Sequence, residues 1–130
     1  MPDAANPAWR VLYVEDDRVA VLLFSEALRE MPGLSLEVAE TGAEALQIAA
    51  QWQPDALVLD ANLPDTTAVA LLPRLRALPG LTHTPAFLCS ADSLLCSDPA
   101  VMAANFTSYW LKPVQPERWR ADLAACLPPR

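Results

Sequence analysis

Three short runs in this chain are apolar at every position: Val11-Leu12-Tyr13-Val14, Ala56-Leu57-Val58-Leu59 and Ala86-Phe87-Leu88-Cys89. A strand with one face in water alternates polar and apolar residues, because its side chains point to opposite faces in turn. A strand without alternation must be covered on both faces. Three such runs therefore require a sheet sandwiched between two layers, and the segments between them must supply the cover. With hydrophobic residues at 53% of 130 positions, the chain has enough apolar material for a core of that kind.

The intervening segments read as helices. Asp17 can cap a helix running to about Met31, where Pro32-Gly33 stops it. Leu34, Leu36 and Val38 alternate with Ser35 and Glu37, as in a half-exposed strand at a sheet edge. Thr41-Gly42-Ala43-Glu44 fits a capping box that opens a helix with Leu46, Ile48, Ala49 and Trp52, ended by Pro54. A third helix is predicted over roughly 69–78, closed by Pro79-Gly80. Pro73 falls inside it, which predicts a late start near Leu72 or a kink. A weak helix over about 99–104 precedes a fifth strand, Tyr109-Trp110-Leu111, and Pro116 suits the first turn of a last helix carrying Trp119, Leu123 and Leu127. Five strands alternating with five helices predict an α/β fold, a doubly wound parallel sheet with right-handed crossovers. One domain is expected over residues 1–130, with its core over about 9–127 and loose, Pro-bearing ends.

Composition narrows the function. A net charge of -7 without clustered Lys and Arg argues against a nucleic-acid surface. No apolar run approaches the roughly 20 residues needed to cross a bilayer, and Met1 to Pro7 lack the basic and apolar regions of a signal peptide. Cys89, Cys96 and Cys126 are odd in number with no CxxC spacing, so reduced, buried or half-buried thiols in the cytoplasm are expected. His83 stands alone between Thr82 and Thr84 and reads as a surface residue.

Parallel sheets of this kind bind ligands beyond the carboxyl ends of their strands. Those ends are polar here: Glu15-Asp16-Asp17 after the first strand, Asp60 and Asn62 after the third, Ser90 after the fourth, Lys112 after the fifth. Two carboxylates about 4 Å apart repel by about 4 kcal/mol at an effective dielectric near 20. A divalent cation relieves that repulsion, and carboxylate, carbonyl and water oxygens are the ligand set Mg²⁺ prefers. Mg²⁺ also neutralises phosphoryl oxygens during transfer. A carboxylate such as Asp60 can be the nucleophile, Lys112 can pair with a phosphoryl oxygen, and the Ser90 hydroxyl can donate to another. Each residue alone has a plainer reading as a turn, cap or solvated side chain; their shared edge is what carries the inference.

The ordered set resembles the response-regulator receiver family, the CheY-like domains of two-component signalling, over about residues 9–127. The segments that carry the likeness are Val11 to Asp17, Pro54 to Asp65, Ser90-Ala91 and Tyr109-Trp110-Leu111-Lys112-Pro113. The resemblance implies strand order 2-1-3-4-5, Asp60 as phosphoacceptor, Mg²⁺ held by Asp16, Asp60 and the Asn62 backbone carbonyl with Glu15 assisting, and a cis Lys112-Pro113 peptide. It implies a switch in which Ser90 moves toward the phosphoryl group and Tyr109 turns inward. It also implies a sensor histidine kinase or phosphotransfer protein as donor and a downstream protein target. Signalling contacts, including any homodimer, would use the face of helix four, strand five and helix five. Such a domain catalyses only its own phosphorylation and dephosphorylation.

The chain departs from the family in places. Ala68 stands where the family usually has Gly, which predicts strain if that position needs positive φ. Asn105 stands where Gly is frequent after helix four, and Asn tolerates the left-handed conformation. Phe106 and Trp110 are expected to add bulk near the output face. Two other functions fit less well. A phosphatase resembling haloacid dehalogenases would need a second carboxylate where Asp60-Ala61-Asn62 has Asn, and a phosphate-independent interaction module would not need Glu15, Asp16, Asp60, Ser90 and Lys112 together.

Overall fold

The structure is a computed structural model that describes residues 9–127, so the expectation of loose ends lies outside the described residues. Strands β1 (Trp9–Val14), β2 (Leu34–Ala39), β3 (Ala56–Asp60), β4 (Ala86–Ser90) and β5 (Ser108–Leu111) alternate with helices α1 (Arg18–Leu28), α2 (Gly42–Trp52), α3 (Ala68–Arg76), α4 (Pro99–Ala103) and α5 (Pro116–Cys126). The strands form one sheet in the order β2-β1-β3-β4-β5, every pair parallel. This is the expected doubly wound α/β fold.

Both faces of the sheet are used. Val11, Tyr13, Val58, Phe87 and Trp110 point into one core with Phe24, Trp119 and Leu123 of α1 and α5. Leu12, Val14, Leu57, Leu59 and Leu88 point into the other, against Ala45, Ala49, Leu71, Leu72 and Leu75 of α2 and α3. Each fully buried side chain of this kind contributes about 1.5–3 kcal/mol relative to exposure, so the all-apolar runs that demanded a double cover also hold it in place. The α1/α5 side is aromatic: Phe24 packs 4.4 Å from Tyr13 and edge-on to Trp119 at 4.9 Å, and Trp110 stacks on Phe87 at 4.5 Å. Trp110 is therefore core rather than bulk on the output face, and Phe106 is buried in the opposite core.

Some local expectations are corrected and others resolved. Helix α1 stops at Leu28, short of Met31, because the chain tightens there: Arg29 N–H donates to Glu26 and Met31 N–H to Leu28. Helix α3 does not start late. Thr67 caps it, its Oγ1 accepting from the Ala70 amide at 3.2 Å, and it runs from Ala68 through an exposed Pro73. Proline removes one interior bond there, but the burial of Ala68, Leu71, Leu72 and Leu75 on one side outweighs that loss. Ala68 opens this helix and does not take positive φ; among described non-glycine residues only Gln53 and Asn105 do, at 54° and 64°. Asn105 thus has the left-handed conformation expected of it, and Gln53 shares it at the C-terminus of α2. Of the thiols, Cys89 is buried and Cys126 half-buried, whereas Cys96 is exposed on the 3₁₀ turn Leu95–Ser97.

Candidate functional site

Strands β1 and β3 are neighbours in register, Val14 beside Leu59. The next residue of each strand is Glu15 and Asp60, so adjacent strands deliver two carboxylates to one spot. Helices α1 and α3 leave toward opposite faces there, which opens a crevice at the switch point. One carboxylate oxygen from each of Glu15, Asp16 and Asp60 lies within 4.8 Å of the others. Asp17 is not part of this set: its Oδ1 accepts from the Val19 amide at 3.0 Å and caps α1.

Lys112, just past β5, reaches across from the other side of the sheet. Its Nζ donates to Asp60 Oδ1 at 2.6 Å and to Glu15 Oε1 at 2.9 Å. Burial works against the ammonium, yet these hydrogen bonds and charges outweigh it and hold Lys112 above the usual lysine range. The Lys112–Pro113 peptide bond is cis. Three carboxyl groups, those of Glu15, Asp16 and Asp60, thus share a single ammonium. That donor set, all hard oxygens, fits a hard divalent cation such as Mg²⁺.

Glu15 is only 2% exposed and so needs partners for its oxygens. Besides Lys112, Oε1 accepts from the Tyr13 hydroxyl at 3.2 Å, and Oε2 from the Asp17 amide at 3.3 Å. Burial and the neighbouring Cys89 and Glu15 push the Tyr13 hydroxyl above the usual tyrosine range, so it remains a proton donor. Tyr13 is absent from the residues picked out by sequence. The available signal was period-two spacing, which puts it on the same side of β1 as Glu15.

Ser90 ends β4, and its carbonyl accepts from the Lys112 amide at 2.8 Å. Its Oγ accepts from the Asp92 amide at 3.0 Å, leaving the hydroxyl proton free to be donated elsewhere. Asn62 is exposed in the loop after β3 and pairs with Thr67 in an antiparallel bridge. Tyr109 is half-buried on β5 opposite Leu88, with Phe106 at 6.2 Å. Between Tyr109 and Ser90 lies a cleft of about 190 Å³ lined also by Leu88, Leu95 and Cys96. His83 is exposed at the far end of β4 and has no part in the site.

Fold and site together define a flavodoxin-like α/β domain with an acid-and-lysine pocket at its switch point. The chain belongs to the response regulator receiver domain family, which its residues 11–124 match, and it is a receiver domain of two-component signalling. It is a signalling domain rather than a classical enzyme. It is 36% identical over 104 residues to the transcriptional regulatory protein PrrA of Mycobacterium tuberculosis, an alignment covering 80% of this chain and 43% of PrrA. The chain thus spans less than half the length of that relative. Among solved structures it is similar to the chemotaxis response regulator CheY4 of Vibrio cholerae, with TM-score 0.83, 25% identity, and coverage of 92% of this chain and 98% of that one. It shares its fold with the receiver domain of the sensor histidine kinase PA1611 from Pseudomonas aeruginosa, with TM-score 0.81, 22% identity, and coverage of 91% and 96%; that structure has a magnesium ion coordinated in its active-site cleft. No helix among the described residues is long and apolar enough to cross a membrane.

Proposed function

We propose that residues 9–127 form one receiver unit that accepts a phosphoryl group on Asp60. The observation that carries this reading is the contact of Asp60 Oδ1 with Lys112 Nζ at 2.6 Å inside a cluster of three carboxylates. Asp16, Glu15, Asp60 and the Asn62 carbonyl would hold Mg²⁺, which supplies neutralisation of phosphoryl charge when bound. The Asp60 carboxylate attacks the phosphorus of a phosphohistidine; the N–P bond breaks, the imidazole leaves, and an acyl phosphate forms. Lys112 transfers its hydrogen bond from the carboxylate to a phosphoryl oxygen, and the Ser90 hydroxyl donates to another. Self-catalysed loss of the phosphoryl group uses the same residues.

The donor is a sensor histidine kinase or a phosphotransfer protein. Support comes from the exposed apolar residues Val19, Leu22 and Leu23 of α1. Val19 and Leu23 line a mostly apolar cleft of about 370 Å³ that also reaches Lys112 and Pro113. A downstream protein, or a second copy of the chain, would meet the face of α4, β5 and α5, where Met102 and Leu111 are exposed. The free thiols Cys89, Cys96 and Cys126 support a cytoplasmic setting.

Incubation with acetyl phosphate and Mg²⁺ should add one hydroxylamine-labile phosphoryl group by intact mass, and Asp60→Asn or EDTA should abolish it. Labelling that survives either change would overturn the assignment.

A further inference from the structure

We propose that Asp65 is a positioning residue for the phosphoryl-transfer pocket: its carboxylate pins the loop 61–67 to helix α2 and so sets the direction of the Asn62 carbonyl. This rests on the function proposed above, and it concerns a residue that touches no reacting atom.

The bonds that join loop to helix are long-range. Asp65 Oδ1 accepts from the Gly42 amide at 2.8 Å and Oδ2 from the Ala43 amide at 3.1 Å. Those amides lie in the first turn of α2 and have no partner within the helix. Thr41 and Glu44 complete the cap locally: Thr41 Oγ1 accepts from the Glu44 amide at 3.1 Å, and Glu44 Oε1 from the Glu40 amide at 2.7 Å. The helix end therefore has one cap supplied by its own sequence and one supplied by the loop that follows β3. The bonds from Gly42 and Ala43 hold the Asp65 carboxyl below the ordinary aspartate range.

The approach is close as well as bonded. A Cβ on Gly42 would stand 2.6 Å from Thr66 Cγ2, so only glycine lets Thr66 sit where it does. Thr66 in turn fixes the peptide between Asn62 and Leu63. Its carbonyl accepts from the Leu63 amide at 2.9 Å. The Leu63 N–H and the Asn62 carbonyl belong to one planar peptide unit, so fixing the first aims the second in the opposite direction. The loop is tied to the sheet by Ala61 N–H donating to the Cys89 carbonyl at 2.9 Å, and its two ends are joined by Ala68 N–H donating to the Ala61 carbonyl at 3.0 Å. Asp65 is thus the fastening on the side away from the sheet.

The test compares Asp65→Ala with Thr41→Ala in the full chain. Both remove a cap from the same helix end, but only the first frees the loop. Mg²⁺ affinity is measured by calorimetry and Leu63 amide exchange by NMR, well below the Tm of each variant. Asp65→Ala should weaken Mg²⁺ binding about tenfold, the low end for a group that orients a ligand without touching the metal, and should speed Leu63 exchange. Thr41→Ala should lower Tm and leave both readouts unchanged. As a second variant, Gly42→Ala should weaken Mg²⁺ binding by displacing Thr66, and adding Thr66→Ser, which deletes Cγ2, should restore it. Undiminished affinity in Asp65→Ala, or equal weakening in Thr41→Ala, would overturn the inference and leave the proposed function standing. An unmutated protein that binds no Mg²⁺ would overturn both.

Discussion

Replacing Lys112 by Met tests the electrostatics of the pocket directly. The substitution keeps the length of the side chain and removes the only ammonium that touches Glu15 and Asp60 among the described residues. Glu15 is 2% exposed and Asp60 13%, so water replaces little of what is lost. The cluster's carboxylate oxygens lie within 4.8 Å of one another, so at an effective dielectric of about 20 two carboxylates repel by at least about 3.5 kcal/mol, and without Lys112 no ammonium offsets that repulsion. Removing one partner of a buried ion pair costs about 3–5 kcal/mol in general, because the other charge is left stranded. The expected loss is therefore about 3–5 kcal/mol at neutral pH without metal, on the order of 10 °C in Tm for a chain of this size. The assay is urea unfolding followed by tryptophan fluorescence at neutral pH, with and without Mg²⁺. The deficit should shrink when Mg²⁺ is added, because a ligand that binds the folded state alone stabilises it. A deficit below about 1 kcal/mol, or one indifferent to Mg²⁺, would refute the idea that Lys112 holds mutually repelling carboxylates together.

Two further outcomes are expected. Burial raises the Cys89 thiol and Tyr13 hydroxyl above their ordinary values, and carboxylate contacts raise Lys112 against the opposing effect of burial; all three keep protons in the fold that the unfolded chain releases. Stability should therefore hold steady from pH 6 to 8 and fall as pH rises past about 8.5, the ordinary thiol value, and more steeply past about 10; calorimetry showing a flat Tm to pH 10.5 would contradict this. At the switch, a fluorotyrosine at position 109 should change its ¹⁹F shift when a beryllofluoride phosphate mimic binds, as the ring turns into the cleft beside Ser90. Ser90→Ala should bind the mimic with that response lost; an equal response would remove Ser90 from the coupling.

The strands and most helix starts are legible in the sequence because the signals are local. Period and uniformity of apolar residues mark β1, β3 and β4, and Asp17, Thr41 and Pro116 mark helix starts within one turn of themselves. Pattern also places Asp60 and Lys112 at strand ends, and a parallel sheet brings such ends to one edge. Tertiary structure decides everything that depends on register and on partners far along the chain. Lys112 meets Glu15 across 97 positions and Asp60 across 52. Only that packing shows that Glu15 is the buried member of the Glu15-Asp16-Asp17 run and needs Tyr13. The same holds for Trp110, whose side of the sheet follows from the β4–β5 register, and for Pro73, tolerated because α3 buries its other face. Asp65 is the clearest case. Its neighbours in sequence mark it as a turn residue, and its bonds to Gly42 and Ala43 arise only because β3 lies beside β1 and brings its loop against the start of α2. Local patterns select elements, since propensity and periodicity act over a few residues. The pocket's hydrogen bonds depend on which elements become neighbours, and burial of both faces of the sheet decides that.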